Sequence, residues 1–227
     1  MRNITSAIKW YFKGLFPHPF TEFLLLFTLL TQYSILEYRK DIVLFIFVSE
    51  YIFLPLYSIF LGLHIIRESN VTAFELSLIK DWGAVYYGKL FVLLVGYIPV
   101  AIGSIGLLIL YNNYELILPL MTRITSYIAI NMCTSVLLST SFALVILVTF
   151  NFLIPVSSLI VFQTLPYGQV LDYLTSLFMY FTAPLTSYVN FERMSISITT
   201  GLLTSIIISL LLILLFREIF RKREISF

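Results

Sequence analysis

Charged residues are scarce in this chain. They make up 11% of the 227 residues, while 59% are hydrophobic. A soluble domain carries roughly 25% charged and roughly 45–50% apolar residues. So few charges cannot wet the surface of a globule, which excludes a soluble enzyme and points to the bilayer. The formal net charge is only +2, so the chain has no basic field for nucleic acid. A single cysteine, Cys133, excludes an internal disulfide and a cysteine metal cluster. The two histidines, His18 and His64, stand far apart and do not suggest a histidine metal site. No internal repeat or low-complexity tract divides the chain.

What the sequence has in quantity is long apolar runs. A membrane-crossing helix needs about 20 apolar residues. The runs predict spans over 20–36, 42–66, 88–111 and 194–216. Between 119 and 165 lie about 47 residues whose single charge is Arg123. That is too long for one span, so it divides near Leu138–Ser141 into 119–138 and 141–165. The expected fold is an all-α membrane protein of six spans. The segment 166–190 contains Gln169, Asp172 and Pro184 and reads as a short helical hairpin rather than a seventh span.

Basic residues orient this arrangement. Of the 14 Lys and Arg, ten fall at 1–17, in 67–89 and at 217–227. Arg39, Lys40, Arg123 and Arg193 fall on the other side. The excess of Lys and Arg marks the cytoplasmic side. Both termini are therefore expected in the cytoplasm, with 166–190 at the outer leaflet and a basic cytoplasmic tail over 217–227. No signal-peptide pattern is expected at the start, because no short apolar core with a small-residue cleavage site follows Lys13. Instead Ile4, Ile8, Tyr11 and Leu15 recur at helical spacing, with Arg2, Lys9 and Lys13 on other faces. That predicts a basic amphipathic helix over 1–17 lying on the inner leaflet, ended by Pro17 and Pro19.

The loop 67–87 is the most informative stretch. Thr72 followed by Glu75 forms a capping box, and Phe74, Leu78 and Trp82 recur at i, i+4, i+8. A short amphipathic helix parallel to the inner membrane face follows, with one side free for a soluble partner. Gly83–Lys89 reads G-x-x-x-x-G-K, but Leu90 follows where a phosphate loop needs Ser or Thr. No apolar strand precedes it, so the chain carries no ATPase loop of its own, and no catalytic or cofactor residue is expected.

Arg67-Glu68, Thr72, Glu75-Leu76 and Gly88-Lys89 stand in an order that resembles the loop after the second span of type-2 ABC exporter permeases. The usual turn proline of that family is replaced by Lys80-Asp81. The resemblance implies a coupling helix made of Arg67, Glu68, Thr72, Phe74, Glu75, Leu78 and Trp82. That helix would dock on a separate ATPase subunit that binds ATP and Mg. The resemblance further implies a second permease copy or related subunit, and residence in the cell membrane.

Inside the spans, Glu50 is costly at bilayer depth and must face protein or water. Glu50, Tyr57 and His64 are spaced by seven and are expected on one helix face, with Pro55 bending the helix between them. Two readings of this stripe stand: a polar path, with Arg123 as a partner, or a single interhelical hydrogen bond. Gly96, Gly103 and Gly106 are expected to let helices approach closely. No hydrolase or metalloprotease motif occurs. The alternative to an ABC permease is a secondary transporter, ion conductor or scaffold that works without ATP.

Overall fold

The computed structural model describes residues 4–5, 7–9, 12, 19–67, 82–135, 140–157, 169–190 and 194–223. Among them the regular structure is entirely helical. The helices are α1 (Pro19–Ser34), α2 (Ile42–Val48), α3 (Leu54–Arg67), α4 (Trp82–Leu110) and α5 (Ile117–Ser135). They continue with α6 (Thr140–Val148), α7 (Gln169–Thr182), α8 (Pro184–Val189) and α9 (Ile198–Arg223). Five rods are long and apolar enough to cross a membrane: Pro19–Arg39, Ile42–Ile65, Gly83–Leu110, Tyr114–Ser135 and Ile198–Lys222. A shorter apolar helix covers Ser141–Ser157. Large apolar side chains such as Phe23, Leu26, Leu30, Ile102, Ile207 and Leu211 point outward and are about half or more exposed. Gln32, Glu50, Arg123, Asn131 and Asn151 are buried. Apolar outside and polar inside is the distribution of a multi-pass α-helical membrane protein.

Local chemistry explains the joints. Between α1 and α2 the chain reverses at Lys40, whose backbone is left-handed at φ 52° and whose N–H returns to the Ile35 carbonyl at 3.0 Å. Asp41 then caps α2, accepting the Leu44 N–H at 3.0 Å. After α4, Asn112 takes φ 57° and the Asn113 N–H reaches the Leu108 carbonyl at 2.8 Å, a Schellman ending that Asn tolerates.

Two prolines shape the interior. Pro55 is preceded by a π-helical stretch, Ser49–Phe53, and Pro155 by another, Thr149–Leu153. Proline has no N–H for the carbonyl four residues back, and its ring crowds that carbonyl. Both helices accommodate this by widening their turns just before the proline, so α2 and α3 continue as one rod. A widened turn also breaks the 3.6-residue register, and single π-turns concentrate at functional sites.

α5 lies at the centre. It packs against α3, α4, α6, α8 and α9 and is the most buried of the five rods. Its contact with α9 uses small residues: Ser126 and Ser209 hydroxyls approach at 3.5 Å. α7 and α8 form the hairpin before the last rod. Pro184 stands in the first turn of α8 after Ala183, and Tyr180 on α7 donates to the Ile196 carbonyl at 3.1 Å.

Several boundaries differ from the sequence reading. α4 starts at Trp82, six residues before the start at 88 that the apolar run predicts. The stretch Gly83–Lys89 is α-helical throughout, which leaves no loop to cradle a phosphate. Gly106 would meet nothing within 4 Å if it carried a Cβ, so it is not a close-approach glycine. Gly103 is one, since its Cβ would fall 2.5 Å from the Leu29 side chain on α1.

Candidate functional site

Many of the buried polar side chains gather around α5. Glu50 is fully buried in the first π-helical stretch. Its carboxylate accepts three hydrogen bonds from α8: the Leu185 N–H at 2.9 Å, the Thr186 N–H at 2.7 Å and the Thr186 hydroxyl at 2.5 Å. Ala183, at the N-cap of α8, has no side-chain acceptor, so Glu50 caps the helix from another rod.

Arg123 is the largest fully buried side chain, 0% exposed within α5. One Nη2 hydrogen bond goes to the Asn151 carbonyl at 3.3 Å. Asn151 lies four residues before Pro155, so the missing proline N–H leaves this carbonyl for the guanidinium. Arg123 also sits over the Tyr127 ring, 4.1 Å from its centroid. Its Nε and Nη1 have no hydrogen-bond partner, and among the described residues it makes no ion pair. Glu50 and Arg123 attract each other electrostatically without touching.

Asparagines and tyrosines connect these charges to the other rods. Asn131 donates to the Ser58 carbonyl at 3.1 Å and to the Tyr97 hydroxyl at 3.0 Å. Asn151 donates to the Ser58 hydroxyl at 3.2 Å. Tyr97 and Tyr127 stack with planes 1° apart at 6.4 Å. Tyr57 donates to the Gly96 carbonyl at 2.6 Å, three residues before Pro99 in α4. On the α1 side, Gln32 donates to Ser49 at 3.0 Å and accepts from Ser104 at 2.8 Å, joining three rods. Lys89 is buried too, with its Nζ 3.5 Å from the Ser135 carbonyl. That places a cation at the negative end of α5.

Of the residues singled out by spacing, Glu50 and Tyr57 are both buried, yet they meet different neighbours, α8 and α4. The π-helical stretch separates them in register. His64 is half-buried farther along α3. Arg123, which the sequence places in the span 119–138 and counts on the outer side, lies inside the rod Ile117–Ser135. Glu68, Thr72, Phe74, Glu75 and Leu78 lie outside the described residues, as do the side chains of Arg67 and Trp82. Sequence reasoning passed over Gln32, Asn131 and Asn151. Their signal was an amide inside an apolar window, which in a bilayer demands an interhelical partner.

Among the described residues no three His, Cys, Asp or Glu gather to hold a metal. The arrangement provides a polar interior between rods, with one carboxylate and one guanidinium at membrane depth. Beside it, between the Ile154 end of the short helix, α7 and α9, an apolar groove of about 710 Å³ opens laterally, lined by Leu174, Phe178, Ile208 and Leu212. No family model, no curated protein and no solved structure matches this chain.

Proposed function

We propose that the chain is the permease subunit of an ATP-binding-cassette exporter, forming a substrate path and driven by a separate ATPase subunit. The observation that carries this reading is the helical hairpin α7–α8, seated on the bundle before the last rod. In this reading the chain crosses the cell membrane six times, with the short helix Ser141–Ser157 as the described part of the fifth crossing, 141–165. Both termini are cytoplasmic. With the buried Arg123 and Lys89 both set aside, three basic residues remain on the outer side against nine inside, which supports that orientation. The segment 68–82, of which 68–81 lie outside the described residues, would serve as the coupling element, with Glu68 and Glu75 as candidate contacts with the ATPase. ATP and Mg reside on that partner, and a second permease completes the path.

Purification of tagged protein in mild detergent, followed by identification of what stays bound, tests this. A co-purifying ATP-binding subunit is the expected result, released by Glu75→Arg without loss of membrane insertion. Recovery of the protein alone from several detergents, with transport that needs no ATP, overturns it. That outcome would favour a second reading, a secondary transporter or ion conductor. What supports the second reading is the intramembrane Glu50 and Arg123, since ionisable groups at that depth mark ion or substrate pathways.

A further inference from the structure

The N-terminal helical residues and the beginning of α4 enclose a groove. Ile4 and Ile8, one turn apart, face Tyr87, Leu90, Phe91 and Leu94, which recur at i, i+3, i+4 and i+7. The groove holds about 460 Å³ and its walls are almost wholly apolar. Ala7 is buried in the core, so the N-terminal segment is anchored there while Ile4 and Ile8 form a wall. Of the groove's described lining, Tyr87, Phe91 and Leu94 remain 38%, 44% and 45% exposed.

A cation marks one end. The Arg217 guanidinium lies over the Tyr87 ring, 5.4 Å from its centroid. Tyr87 is held from behind by Tyr86, edge-on at 6.0 Å, and the buried Tyr86 donates its hydroxyl to the Ile213 carbonyl of α9. Packing therefore fixes where Arg217 stands. Its neighbour Glu218 is 3.9 Å away and is drawn closer to Arg221, at 3.0 Å. Arg217 keeps its donor fork for another anion, and a guanidinium fork matches the oxygens of a phosphate. Exposed Lys9, next to Ile8, adds a second positive charge to this region.

We propose that this groove binds one phospholipid with an anionic headgroup. Its acyl chain lies between Ile4, Ile8 and α4, and its phosphate meets Arg217. The occupant follows from the two halves of the site. Apolar walls exposed in a bilayer take hydrocarbon, and the cation on Tyr87 selects the sign of the headgroup. This inference stands apart from the exporter reading, since it needs neither an ATPase nor a cargo.

The test is native mass spectrometry of the full chain equilibrated in micelles with equal amounts of phosphatidylglycerol and phosphatidylcholine. The wild type should retain one phosphatidylglycerol in roughly fivefold preference, the weight of one surface cation on an anionic lipid. Arg217→Ala should keep a bound lipid and lose the preference, and Arg217→Lys should keep part of it. Leu94→Trp, which fills the groove, should retain neither lipid. If Leu94→Trp does not fold, the wild type and Arg217→Ala alone decide. Equal retention of the two lipids by the wild type, an unchanged preference in Arg217→Ala, or a dimer with no lipid adduct overturns the proposal.

Discussion

The Glu50 carboxylate caps a helix that begins 134 residues later in the chain, binding the backbone N–H groups of Leu185 and Thr186 at 2.9 and 2.7 Å. α8 starts Ala183-Pro184 and supplies no acceptor of its own. Two buried N–H groups would otherwise lack partners in a setting without water. One side chain in the second rod therefore holds the hairpin in place. The spacing pattern of the second rod shows that Glu50 is confined to the protein, but not which element it meets.

Replacing Glu50 by Ala should loosen the hairpin. Loss of a cap typically costs about 0.5–2 kcal/mol, rising to about 1–3 kcal/mol where the donors left unpaired are buried, as here. Glu50→Gln keeps one acceptor oxygen and should fall between wild type and Ala. The readout is thiol labelling of Val189→Cys in a Cys133→Ser background, since Val189 is 44% exposed on α8. Faster labelling in the order Ala, Gln, wild type is expected. Equal rates in all three would mean that the hairpin is held by other contacts.

Arg123 and Glu50 should be coupled although they do not touch. Removing either leaves the other charge uncompensated in the interior, while removing both leaves none. Arg123→Met alone should therefore destabilise more than it does in a Glu50→Gln background. Charges that share an interior typically couple by about 0.5–3 kcal/mol. A double-mutant cycle on thermal unfolding in one detergent measures it. Strict additivity would show that the long-range attraction contributes nothing.

Much of the fold was legible because a bilayer imposes lengths. The runs at 20–36, 42–66, 88–111, 119–138 and 194–216 each lie largely within one of the five long rods, displaced by a few residues. Displacement arises where a helix runs past the apolar window, as Trp82–Tyr87 do in the first turns of α4. The interior was less legible. Seven-residue spacing assumes regular helix, and Ser49–Phe53 is not regular because Pro55 follows. The sequence places Arg123 in the run 119–138 and offers Glu50 as its partner, but no local pattern announces that Asn151, 28 residues on, offers a freed carbonyl. Such partners are chosen by packing between rods, which a linear pattern does not encode.

Glycines in the rods should separate sharply on replacement by Ala. A Cβ at Gly201 would lie 2.1–2.6 Å from the Tyr180 ring, which its hydroxyl ties to the Ile196 carbonyl. At Gly62 it would lie 2.7 Å from Asn131 Oδ1 and 2.9 Å from Leu147. Both variants should lower the melting temperature, with overpacking of this kind costing about 1–3 kcal/mol. Gly201→Ala should be the worse, because a pinned ring yields less than a methyl group. Gly106 faces open space, so Gly106→Ala should be neutral or should stabilise by up to about 1 kcal/mol through helix propensity. A Gly106→Ala loss as large as that of Gly201→Ala would contradict this packing.

The turn after α4 carries a pH-sensitive tie. Tyr111 donates its hydroxyl to the Glu37 carboxylate, bridging the ends of the first and third rods. That hydrogen bond, with the carboxylate's negative charge beside it, pushes the Tyr111 pKa up to about 12 from its ordinary 10.0. The protonated tyrosine is the form that bonds, so the sign follows. The tie is fully present below pH 10.0 and is lost as pH rises through about 12. An ultraviolet titration of the folded protein, taken as the difference between wild type and Tyr111→Phe, should show one phenol ionising near that upper value. Glu37→Gln should bring the same phenol back toward the ordinary range, because the amide keeps an acceptor but loses the charge. A Tyr111 phenol that titrates at the ordinary value in the wild type would show that the two side chains do not meet in the membrane-embedded protein.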